Sequence, residues 1–155
     1  MTRPQERVGE HAPLCPRLSI DEVRGLVTEY WPDSGLWVEE ISPHRVVVTA
    51  GAEGLECRPG GTLSGPTIFK AADLSSFLAI NAYAGRVLTG VLTHGSVSLL
   101  EASEPGPLTV VIEVVRLGRR MAVANGRISD AEGGLVAVTT MQFALPSRQV
   151  LSPDP

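Results

Sequence analysis

Apolar positions along this chain follow two regular patterns, interrupted by one long segment that obeys neither. Val23, Leu26, Val27 and Tyr30 recur at helical spacing behind Ser19 and Glu22, a capping-box pair. They predict a short helix that stops before Trp31-Pro32, because a residue preceding proline avoids the helical region. Runs at 36–41 and 45–50 read as strands joined by Ser42-Pro43-His44. Further β-rich runs at 91–100, 108–117, 120–129 and 135–145 are broken by Pro105-Gly106-Pro107, Gly118-Arg119 and residues 130–134. The breaks are short, so these strands are expected to pair antiparallel in sequence order, as a meander.

The exceptional segment is GGTLSGPTIFKAADLSSFLAINAY, residues 60–83. A glycine-rich turn ends at Gly65-Pro66, and Pro66 suits the first position of a helix, where a missing N–H costs nothing. Ile68, Phe69, Leu74, Phe77, Leu78 and Ile80 then surround the helix instead of forming one stripe, which predicts burial in a core. Lys70 and Asp73 are its only charges. Standing three apart, they can form an exposed pair worth roughly a few tenths of a kcal/mol. Alternatively Asp73, a mediocre helix former placed behind two alanines, is a reactive carboxylate. It would then stand two turns behind a helix N-terminus free to bind an anion.

The order is helix, strands, one long buried helix, then strands. An α+β fold accounts for it, with an antiparallel β-sheet wrapped around a long central α-helix. Such a sheet covers its helix on one side only. The remaining apolar surface and the open edges favour a homodimer, or a dimer of dimers. Residues 1–17 read as a flexible arm, 18–146 as a single domain and 147–155 as a frayed tail.

Composition removes several classes of function. At 155 residues and 43% hydrophobic content the chain suits one folded domain with a real core. A net charge of −4 argues against a nucleic-acid partner. No run approaches the roughly 18 apolar residues of a membrane span, so no membrane partner is expected. The polar N-terminus lacks the apolar stretch of a signal peptide, and a cytoplasmic location is the expectation. Cys15 and Cys57 form no CxxC pair, and His11, His44 and His94 are scattered without ligand spacing, so no metal site is expected.

The block GGTLSGPTIFKAAD resembles the active-site block of PaaI-like acyl-CoA thioesterases, which have the hotdog fold. In that family a turn of the type G-T-(L/V)-H-G-G or G-T-(L/V)-S-G-P opens the central helix, and an Asp follows within it. VLTHGSVSLLEAS and VVRLGRRMAVANGRI resemble the family's third-strand and K/R-L-G-R-R segments, and the similarity spans about residues 35 to 145. Here the Ser-Gly-Pro form of the turn is present, with Ser64 where many members have His and Pro66 where they have a second Gly.

The resemblance implies hydrolysis of an acyl-CoA or acyl-carrier-protein thioester, with coenzyme A entering only as part of the substrate and no other cofactor. Gly65 would offer its backbone N–H to the thioester oxygen, and Asp73 would activate water as general base or attack as nucleophile. The two usually face each other across a dimer interface in this family. Ser64 and Pro66 would line the substrate site. Thr93 matches a hydroxyl position that orients water, and His94 stands where Asn or Asp is common, either touching substrate or satisfied in an interface. Arg119 and Arg120 are candidates for the coenzyme A phosphates, or solvated turn residues. An Asn that helps bind the carbonyl in some members is matched by Arg58, which cannot accept a hydrogen bond, and Glu101 replaces a commonly basic position. These departures favour the alternative, a non-catalytic hotdog protein that binds a ligand or acts as a scaffold. A hydratase is disfavoured, because no His lies between His44 and His94.

Overall fold

The computed structural model describes residues 13–147. Helix α1 (Ile20–Tyr30) starts with the expected capping box: Ser19 Oγ accepts the Glu22 N–H and Glu22 returns its carboxylate to the Ser19 N–H. Strands β1 (Leu36–Ser42) and β2 (Arg45–Ala50) form a hairpin, followed by the central helix α2 (Gly65–Ala84). Strands β3 (Val91–Leu99), β4 (Leu108–Leu117), β5 (Met121–Ser129) and β6 (Leu135–Ala144) complete one six-stranded antiparallel sheet. This is the hotdog fold, a sheet with a long helix packed against it.

The strand order is β1-β2-β4-β5-β6-β3, which corrects the expected four-strand meander. Only β4, β5 and β6 follow sequence order. β3 pairs with β6 at the far edge, and β4 pairs with β2 instead. The physical reason lies in the connection at 100–107. Its eight residues can reach about 26 Å when extended, whereas the three strand spacings from β3 to β4 need only about 14 Å. This connection crosses the start of α2, where the Leu63 N–H donates to Ser103 O at 2.9 Å.

The inward faces explain why α2 is apolar on most of its surface. Val46, Val48, Val110, Ile112, Ala122, Ala124, Ile128 and Met141 are fully buried beneath it. Small residues on the helix, Ala72, Ser75, Ser76 and Ala79, are equally buried and let it lie close to the sheet. Phe77 meets Trp31 edge-on at 5.5 Å between ring centroids, tying α1 to α2 from outside. Phe69 reaches the edge strand, its ring carbon 2.9 Å from where a Cβ on Gly95 would sit, so any larger residue there would have to displace the ring.

Of the expected arm and tail, residues 1–12 and 148–155 lie outside the described residues. The end of the arm is held. The Leu14 N–H donates to His44 Nε2 at 3.1 Å, and the Arg17 and Leu18 N–H groups both donate to Ala82 O. Among the described residues no helix is long and apolar enough to cross a membrane.

Asn81 fixes the other end of α2. Fully buried, it donates from Nδ2 to Phe77 O at 2.9 Å and accepts the Val87 N–H on Oδ1 at 2.7 Å. Asn81→Ala strands that buried amide and should cost about 1–3 kcal/mol of unfolding free energy. Urea denaturation of both proteins measures it; an unchanged midpoint would show that water replaces the side chain.

Candidate active site

Ser64 is the N-cap of α2 and uses both its side chain and its backbone to hold the first turn. Its Oγ accepts the Thr67 N–H at 3.3 Å, its carbonyl accepts the Ile68 N–H at 3.2 Å, and its own N–H donates to Glu56 O at 2.9 Å. Pro66 has no N–H to give. One amide of that first turn is therefore left without an acceptor among the described residues, that of Gly65. It points out of the positive end of a 20-residue helix, where a negative oxygen is favoured.

A cavity of about 280 Å³ opens beside this amide. Its walls include Gly65 and Ile68 from the helix start, Leu63 and Arg58 from the segment before it, Leu99 at the end of β3 and Glu101 from the crossing connection. Leu99 Cδ1 stands 3.3 Å from where a Cβ on Gly65 would be, so a side chain at 65 would crowd the cavity wall.

Asp73 is half-buried and has neither a hydrogen bond nor an ion pair among the described residues. The exposed-pair reading fails with that observation: Lys70 is exposed and does not reach it. Phe69 and Phe77 lie one turn before and one turn after Asp73, and both are partly buried. Desolvation among these neighbours raises the Asp73 pKa above the ordinary aspartate value.

Within one chain the predicted site residues fall into four groups. Ser64, Gly65 and Pro66 lie together at the cavity. Asp73 is eight residues further along α2, about 12 Å by the helical rise, so one chain cannot bring both Asp73 and the Gly65 amide to the same carbonyl. Thr93 and His94 stand on edge strand β3 at a bulge, where both are exposed. The Thr93 hydroxyl donates to Gln142 O and accepts from Gln142 Nε2. Arg119 and Arg120 are exposed in the β4–β5 turn. Arg119 shares a cavity with Arg17 and Ala84 at the opposite end of α2, about 28 Å from Gly65. Sequence reasoning missed Leu99 as a cavity wall, because nothing local shows that β3 ends over α2. No group of three or more His, Cys, Asp or Glu among the described residues is placed to hold a metal ion.

Residues 60–137, half of the chain, match the family model of the thioesterase superfamily. The chain belongs to that superfamily, and thioester hydrolysis is the general chemistry its membership supports. A protein of Saccharolobus solfataricus named as an esterase is 27% identical over 126 residues, covering 80% of this chain and 83% of the relative. Among solved structures, a thioesterase-named protein of Silicibacter sp. superposes with a TM-score of 0.76 at 24% identity, covering 86% of this chain and 95% of the other. Zebra fish thioesterase superfamily member 2 gives 0.73 at 21% identity, covering 83% and 99%. At these identities the superpositions establish the shared fold.

Because the Asp73 pKa is raised, folding favours its protonated form. The ionised carboxylate is a net cost to the folded state at neutral pH, and that cost fades as pH falls through the raised pKa. Asp73→Asn should therefore melt at a higher temperature than wild type at pH 7, with the gap closing in acid. A variant that melts lower at pH 7 would show that the carboxylate has a structural partner.

Proposed function

We propose that this chain is a PaaI-like thioesterase that cleaves an acyl-CoA or acyl-carrier-protein thioester as a homodimer. The observation that carries the reading is Asp73, a desolvated carboxylate in the central helix with no partner among the described residues. Keeping a charge there costs folding free energy that pairing does not return, which suits a reactive group.

In this reading the thioester carbonyl oxygen accepts the free Gly65 N–H. Asp73, from the facing chain, takes a proton from water as the water oxygen adds to the carbonyl carbon. The tetrahedral oxyanion collapses, the C–S bond breaks, and the thiolate leaves with the proton that Asp73 held. Products are a carboxylic acid and a thiol. Direct attack by Asp73 would give an anhydride that water then opens, with the same overall balance.

Two features support the dimer. The outer edge of β1 is capped by α1, since Arg24 Nε donates to Val38 O at 2.9 Å. Among the described residues the outer edge of β3 has no neighbouring strand, and Val91 and Leu99 are 62% and 54% exposed along it. A second copy paired along β3 would extend the sheet. It would also approach the helix face of Phe69 and Asp73, since Phe69 packs on Gly95 of that strand.

Thiol release from short, medium, long and aryl acyl-CoAs, measured for wild type and Asp73→Asn side by side, tests the proposal. Wild type should release thiol from at least one of them, and the variant should lose that turnover while remaining folded. A folded wild type inert to the whole panel would instead identify a ligand-binding hotdog protein.

A further inference from the structure

We propose that Phe69 sets the length of acyl group this site accepts, by walling off the slot between α2 and β3, and that the substrates are short-chain thioesters. The proposal rests on the thioesterase reading above. Its first ground is spacing along the helix. Gly65, Phe69 and Asp73 stand four residues apart, so they follow one another on one side of α2, each about 6 Å beyond the last. In a twofold dimer that sets Gly65 of one chain against the partner's Asp73, the reciprocal pair forms as well, and the two helices run antiparallel. Residue 69 is the midpoint of both pairs. The two Phe69 side chains then stand at the axis between the two sites, and each site ends on one of them.

The second ground is the seat of the ring. Phe69 Cζ and Cε2 are 2.9 and 3.2 Å from where a Cβ on Gly95 would sit, and Met141 Sδ is 3.0 Å from the same point. The ring tip and the sulfur thus share the space that a side chain at 95 would take. Gly95 is paired with Met141 in the sheet, and Met141 is fully buried. A ring lodged between a strand backbone and a buried side chain is a fixed wall, because close-packed neighbours leave it no room to swing aside.

The third ground is polarity, which decides which end of the substrate faces the wall. Arg58, Thr62 and Glu101 form the polar side of the cavity beside Gly65, and Leu63, Ile68 and Leu99 form its apolar side. Ile68 adjoins Phe69 on the helix. Leu99 shares its strand face with Val97 and Gly95, which lead back to the ring. An acyl chain held at Gly65 is drawn along this apolar side, and the polar thiol portion is left at the other. An extended chain advances about 1.2 Å per bond, a third of the span of one residue, so about five bonds fit in the 6 Å between the amide and the ring's own turn of helix.

The test measures kcat/KM for butanoyl-CoA and octanoyl-CoA with wild type, Phe69→Ala and Phe69→Leu. Wild type should favour the butanoyl thioester. Phe69→Ala should raise the octanoyl-to-butanoyl ratio about 10- to 100-fold, and Phe69→Leu should raise it less. A ratio within one protein does not depend on the fraction folded, so lost stability alone leaves it unmoved. If Phe69→Ala does not fold as a dimer, Phe69→Leu decides. An unchanged ratio in the folded variant, or equal loss of both activities, overturns this proposal and leaves the thioesterase reading standing. A wild type that already prefers the octanoyl thioester does the same. Wild type inert to every acyl-CoA overturns both.

Discussion

Ser64 holds the first turn of α2 by three hydrogen bonds, and the chemistry proposed for this chain depends on what they leave over. The hydroxyl and the carbonyl take the amides of Thr67 and Ile68, and the Ser64 N–H binds the preceding strap at Glu56. With Pro66 contributing no donor, the positive end of the helix is focused on one amide, that of Gly65. The bond to Glu56, together with the Glu56 N–H donating to Thr67 Oγ1, anchors the hairpin that carries Arg58. The crossing connection then closes the cavity from the other side, because β3 lies at the far edge of the sheet and its continuation must return over the helix start.

Asp73 belongs to the same helix but to a different environment. The sheet-facing side of α2 is closely packed with small side chains, although the buried Ser75 and Ser76 hydroxyls have no hydrogen-bond partner among the described residues. Asp73 lies between two partly buried phenylalanines, also without a partner among the described residues. A half-buried charge without compensation works against folding. The large core and the doubly bonded Asn81 at the helix end make that cost tolerable. About 12 Å of helix separates Asp73 from Gly65. In the proposed reaction the pair would come from two copies, which would give the β3 edge, unpaired among the described residues, a role beyond assembly.

Much of this was legible in the sequence, for identifiable reasons. The capping box at Ser19 and Glu22, the proline behind Ser64 and the alternation in the strands are local signals, and each element appears where they put it. Asp73 was conspicuous because a charge in an all-round apolar helix has few explanations. The position of β3 was not legible. Alternation tells which face of a strand is buried but not which strand lies beside it, and a proline-containing break of eight residues permits either a neighbour or a crossing. Leu99 at the cavity was hidden for the same reason. The roles expected for Arg119 and Arg120 came from resemblance alone, and within one chain their turn lies at the end of α2 away from Gly65.

The most direct test of the account is a mixing experiment between two inactive variants, Gly65→Pro and Asp73→Asn. Unfolded together and refolded, they form half mixed dimers, each with one site whose glycine and aspartate are both intact. If each site draws Gly65 from one chain and Asp73 from its partner, thiol release should return to about a quarter of the wild-type rate per chain. Variants that stay inactive when mixed, though native mass spectrometry shows mixed dimers, would contradict a site shared between copies.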